Sequence, residues 1–272
     1  MDTYMKTPEI EKSYVDKIGL IDADFIRYIV VYNVSKNVER DPDGKTNRNG
    51  LINEILRVLD DAFVSLECKD KIFCLSGTTK NGFRHAISRD REYKGARKAR
   101  VPLYDTEYED ILFIEEYLKA NYHVLKFPDL EADDILSMLQ CEDTFIYSKD
   151  KDLLQVPGIH FDIKNNEFIE VSPIQSWRFL MKQCLTGDTT DSILGIKGIG
   201  EVAAEKIINE VEPKDYHKVV LQKYIEHSNI RQGIDHFVEI YSLLRLTLNR
   251  GEYIQQKYAE AFNLLNVLKM VK

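Results

Sequence analysis

The chain lacks most of what would make its class easy to assign. Its four cysteines, Cys68, Cys74, Cys141 and Cys184, form no CxxC pair and no Cys/His ligand spacing, which excludes a disulfide framework and a thiolate zinc site and leaves reduced, buried thiols. Only 13 Gly and 7 Pro fall among 272 residues, with no repeat and no low-complexity tract, so collagen-like, solenoid and disordered classes drop out. No apolar run approaches the ~20 residues of a membrane span, and the first residues, MDTYMKTPEIEKSYVDK, are polar and mixed in charge; a cytosolic protein is expected. Positive charge is also short, with a formal net charge of -8, which argues against a general coat for nucleic acid.

What is present is unevenly distributed. Lys80 to Arg100, KNGFRHAISRDREYKGARKAR, carries eight Lys or Arg against two acids, so this segment is +6 and the remainder -14. Such a strip is either a solvated helix face or a grip for a polyanion. Phe83 and Tyr93, interleaved with the cations, favour the grip, because aromatic rings stack on bases while Lys and Arg neutralise phosphates.

The apolar pattern alternates between two periods. KIGLIDAD, KIFCLSG, YHVLKF, DTFIYSKD, IHFDI and EFIEV read as short strands, with helices at NGLINEILRVLDDAFVSL, YEDILFIEEYLKA and DDILSMLQ. That is α/β, a mostly parallel sheet flanked by helices. From about Ile174 the strand signal fades, and SWRFLMKQCL, GEVAAEKIINEV, YHKVVLQKYIE, DHFVEIYSLLRL and YAEAFNLLNVLKM read as helices. Two regions are therefore expected, residues 1–173 and residues 174–272.

Acids gather where the strands end. FPDLEADDILSMLQ places Asp129, Glu131, Asp133 and Asp134 within six positions at the start of an apolar helix. Capping and the helix dipole use one or two carboxylates there; four repel unless solvent, a base or a metal intervenes. Asp22 and Asp24 close the first strand, Asp150 and Asp152 follow a later one, and Asp188 and Asp191 lie in GDTTDS. In open α/β sheets ligands collect at the carboxyl ends of strands, and all-oxygen ligands suit magnesium or manganese. A haloacid-dehalogenase-type phosphatase would also place Asp-x-Asp after its first strand. That reading leaves EADD, SKDKD and the basic strip without a role.

GDTTDSILGIKGIGEVAAEKIINE adds Gly195, Gly198 and Gly200 before an amphipathic helix, the form of a helix-hairpin-helix element that binds a DNA backbone without reading sequence. With IDAD, GFR followed by YKGAR, LEADDIL, YSKDKDLLQV and GDTTDSILGIKGIG in this order, the chain from about Ile18 to Glu210 resembles the 5′-nucleases. These are the flap endonucleases, the 5′-3′ exonuclease domain of bacterial DNA polymerase I and the bacteriophage exonuclease/ribonuclease H enzymes, and the short length is most like a bacteriophage member.

The resemblance implies a PIN-like, Rossmann-like fold with a helical arch and a helix-three-turn-helix element, acting as a monomer in the cytoplasm, that of the host for a bacteriophage protein. It implies a metal site of Asp22, Glu131, Asp133, Asp134, Asp150, Asp152, Asp188 and Asp191, with two or more Mg2+ or Mn2+ ions. Lys94 and Arg97 would touch the scissile phosphate as catalytic groups beside Asp22, Asp133 and Asp150. Phe83, Arg84, Tyr93, Lys98, Gly195, Lys197, Gly198 and Gly200 would contact DNA, and the hairpin carbonyls would hold K+. Two metals ~3.5–4 Å apart would supply a hydroxide near neutral pH and a counter-charge for the leaving oxygen. The substrate would be DNA with a free 5′ end or 5′ flap, with an RNA:DNA hybrid as a further candidate and a replication polymerase or single-strand-binding protein as partner. A DNA-binding accessory protein of the same fold and a PIN-type ribonuclease are the alternatives; the eight carboxylates argue against the first and the hairpin against the second. One departure stands out: Ser76 and Gly77 in CLSGTTKNGFR occupy the place where the family pattern carries an aspartate before FR, and Asp24 is the candidate replacement.

Overall fold

The computed structural model describes residues 14–37, 45–63, 66–77, 82–95 and 105–246. The expected helix YAEAFNLLNVLKM, together with Arg97 and Lys98, lies outside them.

All six expected strands form one sheet: β1 Ile18–Asp22, β2 Asp70–Leu75, β3 His123–Lys126, β4 Thr144–Tyr147, β5 Gly158–Asp162 and β6 Glu167–Val171, in the order β3-β2-β1-β4-β5-β6. Neighbours are parallel except β5 and β6, which pair antiparallel across a short turn. β1 is buried along its whole length, which is why IGLID reads as a continuous apolar run before its terminal acid. Gly19 lets the ring of Phe145 on β4 approach: a Cβ there would lie 3.0 Å from it.

Helices cover both faces. α1 Ala23–Asn37, α2 Arg48–Phe63 and α4 Asp105–Asn121 pack one side around Ile26, Val30, Leu51, Ile55, Ile114 and Phe73. α5 Ala132–Leu139 packs the other with Leu20, Ile72, Ile135 and Leu136. A short α3, Phe83–Ile87, packs Ile87 against the core of the helical second half.

After β6 the chain turns helical, as expected. Ser172 caps α6 Pro173–Thr186 through Gln175, with Pro173 at the first helical position. A two-stranded hairpin, β7 Gly187–Asp188 with β8 Ile193–Leu194, leads to α7 Glu201–Asn209, α8 Tyr216–His227 and α9 Ile230–Leu244. These helices enclose a third core around Met181, Leu185, Ile208, Val220 and Tyr224, and Tyr93 of the basic strip enters it. Among the described residues no helix is long and apolar enough to cross a membrane.

The order of strands decides where chemistry can sit. From β1 the chain fills one side of the sheet with β2 and β3, then crosses to β4 on the other, so the carboxyl ends of β1 and β4 flank a switch point.

Candidate functional site

At that switch point a cleft of about 380 Å³ opens. Asp22 ends β1 and caps α1, its Oδ1 accepting from Phe25 N at 3.2 Å while Ser148 Oγ donates to Oδ2 at 2.6 Å. Asp150, past the end of β4, accepts from Asp152 N at 2.8 Å and so starts a 3-10 turn that turns Asp152 inward. Glu131 immediately precedes α5, at its N-cap, and Asp133 lies in its first turn. Asp188 folds the β7–β8 turn by accepting from Thr190 N at 2.7 Å, which presents Asp191.

Asp22, Asp24, Glu131, Asp133, Asp150, Asp152, Asp188 and Asp191 all line this one cleft, together with Ser76, Arg84, Tyr93 and Lys94. The crowding shows in the proton affinities. Burial, then the Asp24 and Asp150 charges, push Asp22 up to about 6 against the bonds from Ser148 and Phe25. Burial followed by Asp150 and Asp188 pushes Asp152 up to about 7, and Asp133 is raised well above the usual range by burial and then by Asp22 and Asp150. Among the described residues no three Asp, Glu, His or Cys side chains are set to hold one ion as they stand.

Asp134 departs from the expected ligand set. It is 0% exposed, and both its oxygens meet Arg84, Nη1 at 2.7 Å and Nη2 at 2.8 Å, while Glu131 N donates to Oδ2 at 3.3 Å. Consecutive helix positions point about 100° apart, so of two adjacent aspartates only Asp133 can face the cleft. Arg84 departs with it: 3% exposed, it also donates to Leu243 O and Arg245 O at the end of α9 and so is an internal clamp rather than a contact for DNA. Burial alone would lower its proton affinity, but the Asp134 carboxylate holds it above the ordinary guanidinium value.

The two aromatics of the strip are engaged as well. Phe83 is half-buried with the Arg84 guanidinium 4.6 Å over its ring, and Tyr93 is buried with its phenol 3.0 Å from both Glu131 Oε2 and Asp191 Oδ2. Burial and then Glu131 raise the Tyr93 phenol, which keeps its proton. Lys94 reaches Glu131 Oε1 at 2.5 Å from a left-handed backbone at φ 57°.

Asp24 sits at the cleft with its Oδ1 accepting from Arg27 Nη2 at 2.9 Å and from Ser76 N at 3.3 Å. The Ser76 hydroxyl accepts from Ala132 N at 2.9 Å, so it tethers the start of α5 to the end of β2. Gly195, Lys197, Gly198 and Gly200 lie on the loop between β8 and α7. Gly198 is left-handed at φ +87°, and Gly187, at φ +73°, packs so close to the Gly195 amide that a Cβ would lie 2.2 Å from it. Lys197, Gly198 and Gly200 are exposed.

Sequence reasoning missed Ser148, which lay in plain view inside YSKDKD, and the wall of Leu243, Leu244 and Leu246, which gives no local signal. Gln155 fastens that wall, donating to Leu244 O at 3.0 Å and accepting from Leu246 N at 3.2 Å.

Residues 17–177 match the family model described as 5′-3′ exonuclease, N-terminal resolvase-like domain. The chain is 31% identical to DNA polymerase I of Borreliella burgdorferi over half of its own length and 18% of the polymerase. It is 28% identical to an exonuclease of Escherichia phage T7 over 58% of this chain and 56% of that one. Its fold is similar to that of bacteriophage T5 D15 flap endonuclease in a pseudo-enzyme-product complex with DNA and metal ions, with a TM-score of 0.65 at 16% identity over 93% of this chain and 99% of that one. The matched region thus spans under a fifth of the polymerase and about half of the phage T7 exonuclease.

Proposed function

Because the chain belongs to the 5′-3′ exonuclease family, we propose that it is a divalent-metal-dependent 5′ nuclease that hydrolyses phosphodiester bonds of DNA at free 5′ ends or 5′ flaps. The observation that carries the reading is the convergence of eight carboxylates on one cleft at the sheet's switch point, with Lys94 among them. Eight acids share the cleft with Lys94, Lys149, Lys151 and an Arg84 whose shortest bonds go to Asp134, and three of the acids are held at raised proton affinity; this excess of carboxylate is a poor arrangement for stability and a good one for hard cations. Two or more Mg2+ or Mn2+ ions fit this donor set, with Asp22, Asp24, Glu131, Asp133, Asp150, Asp152, Asp188 and Asp191 as the residues that would hold them.

When bound, such ions supply a nucleophile near neutral pH and a counter-charge for the departing oxygen. The chain's own groups do the rest. Ser148 and the Phe25 amide hold the Asp22 carboxylate in one orientation at the end of β1. Lys94, with Arg97 further along the strip, neutralises the phosphoryl oxygens, a contact that strengthens as charge develops in the transition state. The leucine wall at 243–246 excludes water from one side of the cleft. The product carries a 5′ phosphate.

Residues 1–173 form the chemical part in this reading and residues 174–272 the grip on duplex. The β7–β8 hairpin and the exposed turn at Lys197, Gly198 and Gly200, between α6 and α7, support a helix-hairpin-helix contact to duplex phosphates, with K+ on the loop carbonyls. Substrate choice then rests on shape and on a free 5′ end, and an RNA:DNA hybrid is accepted on the same terms. A replication polymerase or single-strand-binding protein is the partner that such an activity calls for.

The deciding experiment is cleavage of 5′-flap, nicked-duplex and RNA:DNA hybrid substrates with and without magnesium. Magnesium-dependent release of 5′-phosphorylated products is expected; binding of all three with no cleavage in any cation replaces the nuclease with an accessory DNA-binding protein.

A further inference from the structure

Among the carboxylates of the cleft one cation of the chain stands in a particular place. The Lys94 ammonium is 2.5 Å from Glu131 Oε1 and 3.9 Å from Asp191 Oδ2, between an acid from the α5 turn and an acid from the β7–β8 turn. The backbone fixes it there: Lys94 N donates to Asp191 O at 2.8 Å, and the residue adopts the left-handed region that few lysines enter. Tyr93 joins the same two carboxylates with its phenol. A phenol has one proton and satisfies one acceptor at a time, so it cannot offset two negative charges. The ammonium can. The neighbouring Arg84 guanidinium also reaches Glu131, Nη1 to Oε2 at 3.5 Å, but it is buried and its shorter bonds go to Asp134 and to the end of α9, so it is not the group that lies between Glu131 and Asp191.

We propose that Lys94 is a resident counter-ion, which in the cation-free protein holds the position between Glu131 and Asp191 that a divalent ion takes, so that loading the ion and presenting the lysine to substrate are a single exchange. The inference rests on the reading of these acids as a divalent-cation site. Its physical basis is competition: one carboxylate pair serves either a monovalent ammonium on a flexible four-carbon stem or a divalent ion, and the stem lets the displaced charge swing toward the mouth of the cleft. The same lysine therefore lowers cation affinity in the free protein and becomes available to a phosphate only once the ion has arrived.

The test is Mn2+ binding to the full chain, followed by paramagnetic resonance of the free ion, for the parent, Lys94→Met and Lys218→Met. Lys218 is exposed on α8 and paired with Asp215, and its loss controls for a lysine removed from the surface. Lys94→Met is expected to tighten the Mn2+ dissociation constant about tenfold, the size of effect that one displaced neighbouring charge has, while Lys218→Met leaves it unchanged. A second measurement uses the unaltered protein: acetylation of the Lys94 amine, followed by mass spectrometry, is expected to quicken several-fold when Ca2+ is added. Unchanged or weaker Mn2+ binding by Lys94→Met, or a Lys94 amine no more reactive with Ca2+ than without, overturns the proposal. A parent that binds no Mn2+ overturns the cation site itself and the exchange with it, an outcome distinct from binding that ignores Lys94.

Discussion

Asp133 and Asp134 are neighbours in the chain with opposite fates: one faces the cleft and the other is wholly buried against Arg84. The letters DD carry no sign of which is which, because that depends on how α5 is rotated against the sheet. The other six acids of the expected set, Asp22, Glu131, Asp150, Asp152, Asp188 and Asp191, all line the cleft, and they were legible as acids clustered after apolar strands or in the GDTTDS turn. Ser76 was legible only as a departure; that its hydroxyl accepts from Ala132 N depends on a contact 56 residues away. With Ser76 so engaged, the nearest additional carboxylate on that side is Asp24, whose Oδ1 accepts from the Ser76 amide. Asp24→Asn is expected to raise the magnesium concentration for half-maximal cleavage by about tenfold, one charge's worth of cation attraction, and Ser76→Asp to restore part of it. A titration of the parent, both single variants and the double variant measures this; an unaltered magnesium requirement in Asp24→Asn removes Asp24 from the site.

At the scale of elements, the six strands and most helices followed from periodicity, while α1 and the β7–β8 hairpin did not. α1 follows β1 with no intervening loop, and its run ADFIRYIVVYNV is apolar nearly all round, with Tyr28 and Tyr32 exposed, so neither the break nor the amphipathic stripe is visible. The hairpin has two residues per strand, too few for any period to register. Arg84 joins three elements, α3, α5 and the end of α9, through the Asp134 pair and two backbone carbonyls. Arg84→Ala leaves a buried carboxylate without its partner and is expected to cost about 3–5 kcal/mol, read as a lower denaturant midpoint. Arg84→Ala combined with Asp134→Ala should recover part of the loss, since the unpaired charge is then gone; additive losses would mean that the pair does not couple.

For the whole molecule, the crowded acids set a pH dependence. Asp152 in the folded protein holds its proton up to about 7, whereas the unfolded chain releases it near 3.8. Between those values the folded state binds more protons, so this group's contribution to stability falls as pH rises and is fully lost above about 7. Asp22, raised to about 6, acts in the same direction. His160, lowered by burial, acts oppositely but is common to parent and variant. Asp152→Asn should therefore melt with the parent at pH 4 and above it at pH 8 in metal-free buffer, by about 2–4 °C for each kcal/mol removed. Added magnesium at pH 8 should raise the parent more than the variant. A gap that closes as pH rises would contradict the assignment.

The fastening of residues 243–246 by Arg84 and Gln155 bears on when the cleft is completed during synthesis of the chain. Every acid of the cleft has been translated by Asp191, yet the leucine wall and the acceptors that complete the Arg84 clamp follow more than fifty residues later. A nascent chain thus carries its charges well before it carries the wall and the clamp that complete its cleft.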